Sequence, residues 1–270
     1  MKKVAMIMLD GCRYDLGCEN LGYMMHLVEK HQASLFKVES ELPSLSRPCY
    51  EVLLTGTPAY INGITDNSIV RRSNQISIFD LVKAHGGISA AASYHWISQL
   101  YNNPDFNLAS DRFQTDLNQA IQYGIYYDDI YPDKCLLADS YYLARKYQPN
   151  FLFTLPMSVD DYGHRYTSDS SEYREMIAKA DSALAQFIPL LQAEGYDILL
   201  TADHGMDEFG HHGGTRHEVR DVPLFLISSN VQPGDFSSQS IPQLMIAPLV
   251  CNLLDLPVSP AMIELALPDK

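Results

Sequence analysis

Basic side chains are scarce in this chain. Lysine and arginine number 19 against 33 aspartates and glutamates, a net charge of −14. Such a surface repels polyanions, which excludes non-specific binding to nucleic-acid polymers or anionic membranes. It does not exclude a small anionic substrate, because a metal ion or a few arginines reverse the potential locally. Cysteine is sparse as well. Cys12, Cys18, Cys49, Cys135 and Cys251 are odd in number and contain no CxxC pair, which argues against a disulfide framework or a structural zinc knuckle. Long apolar runs are missing: Val4–Leu9 ends at Asp10, too short for a signal-peptide core, and nothing approaches a membrane span. The expectation is a soluble, cytoplasmic protein. Neither an internal repeat nor a low-complexity tract is present. GxSxG, GxxxxGKS/T and HExxH are absent, which removes three common hydrolase classes. Cys12 stands where a haloacid-dehalogenase-type phosphatase needs its second aspartate, and Pro43–Pro48 lacks the sulfatase pattern CxPxR or SxPxR.

What remains is ordinary globular material, 46% apolar over 270 residues. Short continuous apolar runs predict strands at Val4–Leu9, Ile88–Ser93, Phe151–Leu155, Asp197–Thr201 and Val222–Ile227. Helical spacing predicts helices at Ser77–His85, Lys134–Tyr147, Ser170–Glu194 and Pro242–Leu254, with Gly195 as a stop. Strands alternating with helices predict an α/β fold: a largely parallel central sheet with helices on both faces. We expect one domain over residues 1–270, with a cap or lid inserted at about 94–133, where Asn, Asp and Tyr dominate.

Chemistry gathers behind the predicted strands. Asp10, Asp160 and Asp203 each stand shortly after one, and open α/β sheets bind ligands at the carboxyl ends of their strands. In TADHGM, Asp203 and His204 sit where a strand turns and both side chains can address one cation. GHHGG offers His211 and His212, and DDYGH spaces Asp160 and His164 four apart, within reach of one ion. Carboxylates with imidazoles suit zinc, with manganese or iron as alternatives. Any one of these pieces alone reads as a turn or helix-cap residue; their joint order favours metal. In PSLSRPCYEVLLTG, Ser46 stands two residues before Pro48, at or near the N-cap of a helix whose amides and dipole favour a phosphate. The bland reading of Ser46 is a helix cap, and Ser44 is the alternative nucleophile.

The set LDG (Leu9–Gly11), LSRPCYEVLLTG, NGIT (Asn62–Thr65), DDYGH, ADHGM and GHHGG resembles the alkaline phosphatase superfamily, within it the type I phosphodiesterase/nucleotide pyrophosphatase branch. The DHGM, HGG and SRP portions also resemble the catalytic domains of ethanolamine-phosphate transferases. The match spans roughly Val4–Thr65 and Phe151–Ser228. Carried onto this chain, the resemblance implies two divalent metal ions. Asp160, His164 and His212 would hold one; Asp10, Asp203 and His204 would hold the other, with Ser46 coordinated to it as nucleophile. His212 is preferred over His211 because the family ligand immediately precedes glycine, and His217 is a lesser candidate. The implied activity is metal-dependent hydrolysis of phosphodiesters or nucleotide pyrophosphates through a phosphoserine-type intermediate. Phosphomonoesters, phosphonates or transfer to an alcohol acceptor are the enzymatic alternatives, and a metal-dependent sensor of a phosphorylated metabolite is the non-enzymatic one. The chain departs from the family at Cys49, where phosphodiesterases commonly carry an asparagine that binds a phosphate oxygen; a thiol donates poorly. Substrate contact is therefore expected from Arg47, with Cys49 in the asparagine position and Arg13 or backbone amides as substitutes. Tyr94, His95, Trp96, Tyr126 and Tyr127 read either as core or as a stacking platform for a base or sugar. The partner is a small phosphorylated molecule, and the sequence leaves the oligomeric state open.

Overall fold

A computed structural model describes residues 1–128, 130–265 and 267. Residue 129 of the 94–133 segment and residues 266 and 268–270 at the end of the expected domain lie outside the described residues. The strands are β1 (Val4–Met8), β2 (Ser34–Glu39), β3 (Ser89–Tyr94), β4 (Phe113–Thr115), β5 (Tyr123–Tyr127), β6 (Phe151–Leu155), β7 (Asp197–Thr201), β8 (Asp221–Ile227) and β9 (Gly234–Pro242). Helices in the first half are α1 (Tyr14–Asn20), α2 (Gly22–Glu29), α3 (Ser46–Thr55), α4 (Ala59–Asn62), α5 (Ile78–Ala84), α6 (Trp96–Tyr101) and α7 (Leu108–Asp111). In the second half they are α8 (Asp133–Tyr147), α9 (Ser158–Tyr166), α10 (Ser171–Ala193), α11 (His217–Arg220) and α12 (Ile246–Leu253).

The described strands form one sheet in the order β4-β5-β3-β6-β1-β7-β8-β2-β9. Its centre, β5-β3-β6-β1-β7, is parallel throughout, while β8 is antiparallel to both neighbours and β4 to β5. The central strands are apolar without alternation because both faces are covered: every residue of β1 and β6 is buried. Helices α8, α9 and α10 pack together with α1 and α2, whereas α3, α5, α6 and α12 form a second group. Both α8 and α5 meet β3, so the sheet lies between two helical layers. Rings of Phe79, Tyr101, Phe151 and Phe153 interlock beneath the second layer at centroid distances of 5.1–6.2 Å.

Local signals set the helix ends. Ser77 and Asp80 form a reciprocal capping box at the start of α5, and Ser170 caps α10. Residues 94–133 contribute α6, α7, β4 and β5, and β5 pairs in parallel register with β3. Because β1, β6 and β7 run side by side, the turns that follow them open on the same edge.

Candidate metal centre

The turns after β1, β6 and β7 and the start of α3 bring the expected residues together. Asp10 follows β1, Asp203 and His204 follow β7, and Asp160 lies in the first turn of α9. His164 stands one turn further on, its Nε2 3.3 Å from Asp160 Oδ2. Donor atoms of Asp10, Asp203 and His204 all lie within 4.8 Å of one another, and so do those of Asp160, His204 and His212. His164 completes the second cluster, with its Nε2 3.2 Å from His212 Nε2. The His204 and His212 rings stack at 3.7 Å and join the two clusters.

The backbone fixes the tautomer of all three imidazoles. Nδ1 of His204 lies 2.9 Å from the Gly205 carbonyl, Nδ1 of His164 lies 2.8 Å from that of Gly210, and Nδ1 of His212 lies 3.0 Å from that of Ser44. A carbonyl oxygen only accepts, so each Nδ1 carries the hydrogen; the neutral His204 and His212 rings present their Nε2 lone pairs to the centre, while His164, beside Asp160, also holds a proton on Nε2. Those lone pairs meet other lone pairs. His204 Nε2 faces Asp203 Oδ2 at 3.1 Å and Asp10 Oδ1 at 3.6 Å. Among the described residues, Asp10 Oδ1, Asp160 Oδ1 and Asp203 Oδ2 are buried carboxylate oxygens with no hydrogen-bond partner. Acceptors facing acceptors repel unless a proton or a cation lies between them. This donor set of carboxylate oxygens and Nε2 atoms fits divalent metal ions.

The titration behaviour has the same cause. Burial, reinforced by the charges of Asp203 and Asp160, raises the Asp10 carboxyl well above its ordinary range, and burial raises that of Asp203. Burial also drives the imidazolium forms out of His204 and His212, whose pKa values fall to about 3. His164, hydrogen-bonded to Asp160, rises to about 9.

Ser46 is the first residue of α3, with Leu45 at the N-cap and Pro48 in the first turn. The expectation of a position at or near the cap is met within one residue. Its Oγ makes no capping contact but lies 3.1 Å from His204 Nε2. The Ser44 hydroxyl instead donates to the Gly214 carbonyl at 2.9 Å, tying the loop before α3 to the GHHGG segment. Helix amides offer an anion little here. Pro48 has none, and the Arg47 amide donates to Asn67 Oδ1 at 2.9 Å.

Arg47 is 1% exposed. Its guanidinium stacks over Trp96 at 4.3 Å and donates to the Asn67 carbonyl and to Gln99 Oε1, yet Nη1 is buried without a partner. Among the described residues no carboxylate pairs with it, and burial lowers its pKa to about 10. Cys49 is fully buried and directs Sγ at the Pro43 and Glu41 carbonyls. Arg13 is held by Asp15 in a two-pronged pair at 2.6 Å. His211 is exposed, and His217, 87% exposed at its side chain, lies 3.7 Å from Asp221. Tyr126 and Tyr127 are core, whereas Tyr94 lines a recess of about 110 Å³ with Ile130, Tyr131, Met157, Ser158 and Asp161.

Sequence reasoning passed over Tyr50, fully buried on α3, whose hydroxyl donates to Asp10 Oδ2. The available signal was its place four residues after Ser46, on the same helix face. Gly11, the last residue of the LDG motif, gains a role the motif did not state: its amide donates to Asp203 Oδ1 at 3.1 Å. Gly11 has φ +70°, and a Cβ there would lie 2.8 Å from the Asp160 backbone, so only glycine fits between the two carboxylates.

Comparison with known proteins agrees with this architecture. The chain is 25% identical over 282 aligned residues to the human GPI ethanolamine phosphate transferase 2 catalytic subunit, covering 95% of this chain but spanning only 26%, about a quarter, of that protein. A phosphopentomutase from Pectobacterium carotovorum is 40% identical over 76 residues, 28% of this chain and 17% of that protein. Among solved structures, murine ectonucleotide pyrophosphatase/phosphodiesterase 5 superposes with a TM-score of 0.77 at 15% identity, covering 96% of both chains. A phosphonate monoester hydrolase from Silicibacter pomeroyi superposes with a TM-score of 0.66 at 14% identity, covering 96% of this chain and 74% of that one. The model of the type I phosphodiesterase / nucleotide pyrophosphatase family matches residues 4–218, and the chain therefore belongs to that family of the alkaline phosphatase superfamily.

Proposed function

We propose that this protein is a metal-dependent hydrolase of phosphodiesters or nucleotide pyrophosphates in which Ser46 is the nucleophile. The observation that carries the reading is the position of Ser46 Oγ, 3.1 Å from His204 Nε2, beside buried carboxylate oxygens that no donor among the described residues satisfies. Asp10, Asp203 and His204 would hold one ion and Asp160, His164 and His212 the other, with zinc the best match and manganese or iron next. Such ions supply positive charge at the attacking and leaving oxygens and lower the serine pKa. Ser46, its proton given up to solvent, attacks phosphorus. The bond from phosphorus to the leaving alcohol or nucleotide breaks as the Ser46 Oγ–P bond forms. Water then cleaves the phosphoserine, releasing the product and restoring the hydroxyl.

Arg47 supports phosphate recognition. A buried guanidinium without a carboxylate is costly, and an anion in contact with its unpartnered Nη1 offsets that cost. Cys49 sits in the family's asparagine position but directs Sγ at the loop before α3. In this reading residues 1–270 form one catalytic domain, and Tyr94, Ile130 and Tyr131 of the 94–133 segment line a recess against Met157, Ser158 and Asp161. No described helix is long and apolar enough to cross a membrane.

The transferase names among the relatives favour a second reading, in which the phosphoseryl group passes to an alcohol instead of water. Incubation with bis-p-nitrophenyl phosphate and zinc or manganese tests the first. Nitrophenol release that disappears in Ser46→Ala, with metal content unchanged, is the expected result. Substantial activity in Ser46→Ala removes that residue from the mechanism. Product partition in the presence of ethanolamine or glycerol separates hydrolysis from transfer, and tight binding of the diester without turnover identifies a sensor.

A further inference from the structure

Asp10 and Asp203 each offer the centre a single oxygen. Asp203 Oδ1 accepts the Gly11 amide, leaving Oδ2 without a donor, 3.1 Å from His204 Nε2. Asp10 Oδ2 accepts the Tyr50 hydroxyl, leaving Oδ1 without a donor, 3.6 Å from the same nitrogen. A backbone amide and a phenol thus do the same work on two neighbouring carboxylates. Tyr50 is fully buried, so water does not compete for its hydroxyl, and its ring is held beside Trp96 at 6.4 Å.

We infer that Tyr50 is a positioning residue that closes one oxygen of Asp10, makes it a one-oxygen ligand, and so sets the affinity and metal choice of the Asp10–Asp203–His204 cluster. The inference rests on the metal-centre reading above. Calcium takes six to eight oxygens and readily accepts two from one carboxylate, whereas zinc takes four ligands and is satisfied by one. Closing Oδ2 therefore disfavours the larger ion, and loss of an outer partner of this kind weakens metal binding about 10–100-fold.

The test is a competition titration of zinc and calcium into the metal-free full chain, with metal counting, for wild type and Tyr50→Phe. Phenylalanine keeps the ring and the packing, and thermal melting of the metal-free variant checks the fold. The expected result is two zinc ions per wild-type chain. In Tyr50→Phe one site is unchanged and the other is weakened about 10–100-fold, with a reduced preference for zinc over calcium. Asp10→Asn abolishes that same site, and adding Tyr50→Phe to it costs nothing more. Replacing Tyr50 by 3-fluorotyrosine, which retains ring and hydroxyl while altering its acidity, shifts the same site alone. Unchanged affinities in Tyr50→Phe, or equal weakening of both sites, overturn the inference. A wild-type chain that binds no pair of ions overturns the metal-centre reading itself.

Discussion

His204 stands where the two clusters meet. Its Nδ1 is spent on its neighbour's carbonyl, so its Nε2 alone faces Ser46 and the two carboxylates. His164 differs because Asp160 keeps it protonated up to about pH 9, with its Nε2 against that of His212. A cation entering this cluster must expel that proton, and one entering the other must displace any held by Asp10 or Asp203, whose pKa values burial raises. Metal binding at pH 7 is therefore expected to release protons, and affinity to rise with pH up to about 9. Calorimetry in buffers of different ionisation enthalpy measures this; proton uptake, or none exchanged, contradicts the assignment. At this scale the sequence was most informative. Asp10, Asp160, His164, Asp203, His204 and His212 carry their chemistry in their side chains and stand in readable motifs. The Gly205, Gly210 and Ser44 carbonyls that orient the imidazoles have no sequence signature, since every residue has one. Tyr50 reads as core until its hydroxyl is seen to end on a carboxylate.

Among the elements, α9 holds both Asp160 and His164, and no side chain of its own caps it. Asp133, the first residue of α8, does so from outside: its Oδ1 accepts the Ser158 hydroxyl at 2.6 Å and the Ser158 amide at 3.4 Å. Its Oδ2 is buried without a partner, and burial raises the carboxyl to about 6. Because the folded pKa exceeds the unfolded one, the folded state binds the extra proton. The stability that Asp133 supplies is complete below about pH 4 and is lost as pH rises through about 6. Asp133→Asn, which keeps the accepting oxygen, should match wild type near pH 4. It should exceed wild type by on the order of 2 kcal/mol at pH 7.5. Denaturant unfolding across pH reads the difference, and a constant offset would deny the titration. Strands with unbroken apolar runs were legible: β6 and β7 coincide with their predicted ranges, and β1, β3 and β8 differ by a residue at their ends. The strands β2 and β9 were not. Lys37, which pairs with Asp221 on the neighbouring β8, interrupts the apolar run of β2, and β9 is an edge strand with exposed polar residues. Tyr and Gly in β5 likewise concealed a strand that extends the parallel sheet beyond β3.

Across the whole molecule, a net charge of −14 surrounds a buried centre lined by three carboxylates. Without cations those groups oppose folding, so metal binding and stability are linked. A chelator should lower the melting temperature, and two equivalents of zinc should restore it. At a hundredfold excess over Kd each site contributes about 3 kcal/mol, on the order of 5–10 °C. A melting temperature indifferent to chelation would show that the protein needs no ion to hold the centre together. The fold was legible at this scale because alternating strands and helices admit few arrangements. The order of the outer strands was not, since it depends on edge pairing that no local pattern encodes. Residues from four separate parts of the chain are expected to surround a pair of cations beside Ser46. Crystals grown with zinc and measured across its absorption edge locate those ions. Two anomalous peaks about 4 Å apart are expected, one touching Asp10, Asp203 and His204, the other touching Asp160, His164 and His212. Peaks elsewhere, or none in this centre, would contradict that arrangement.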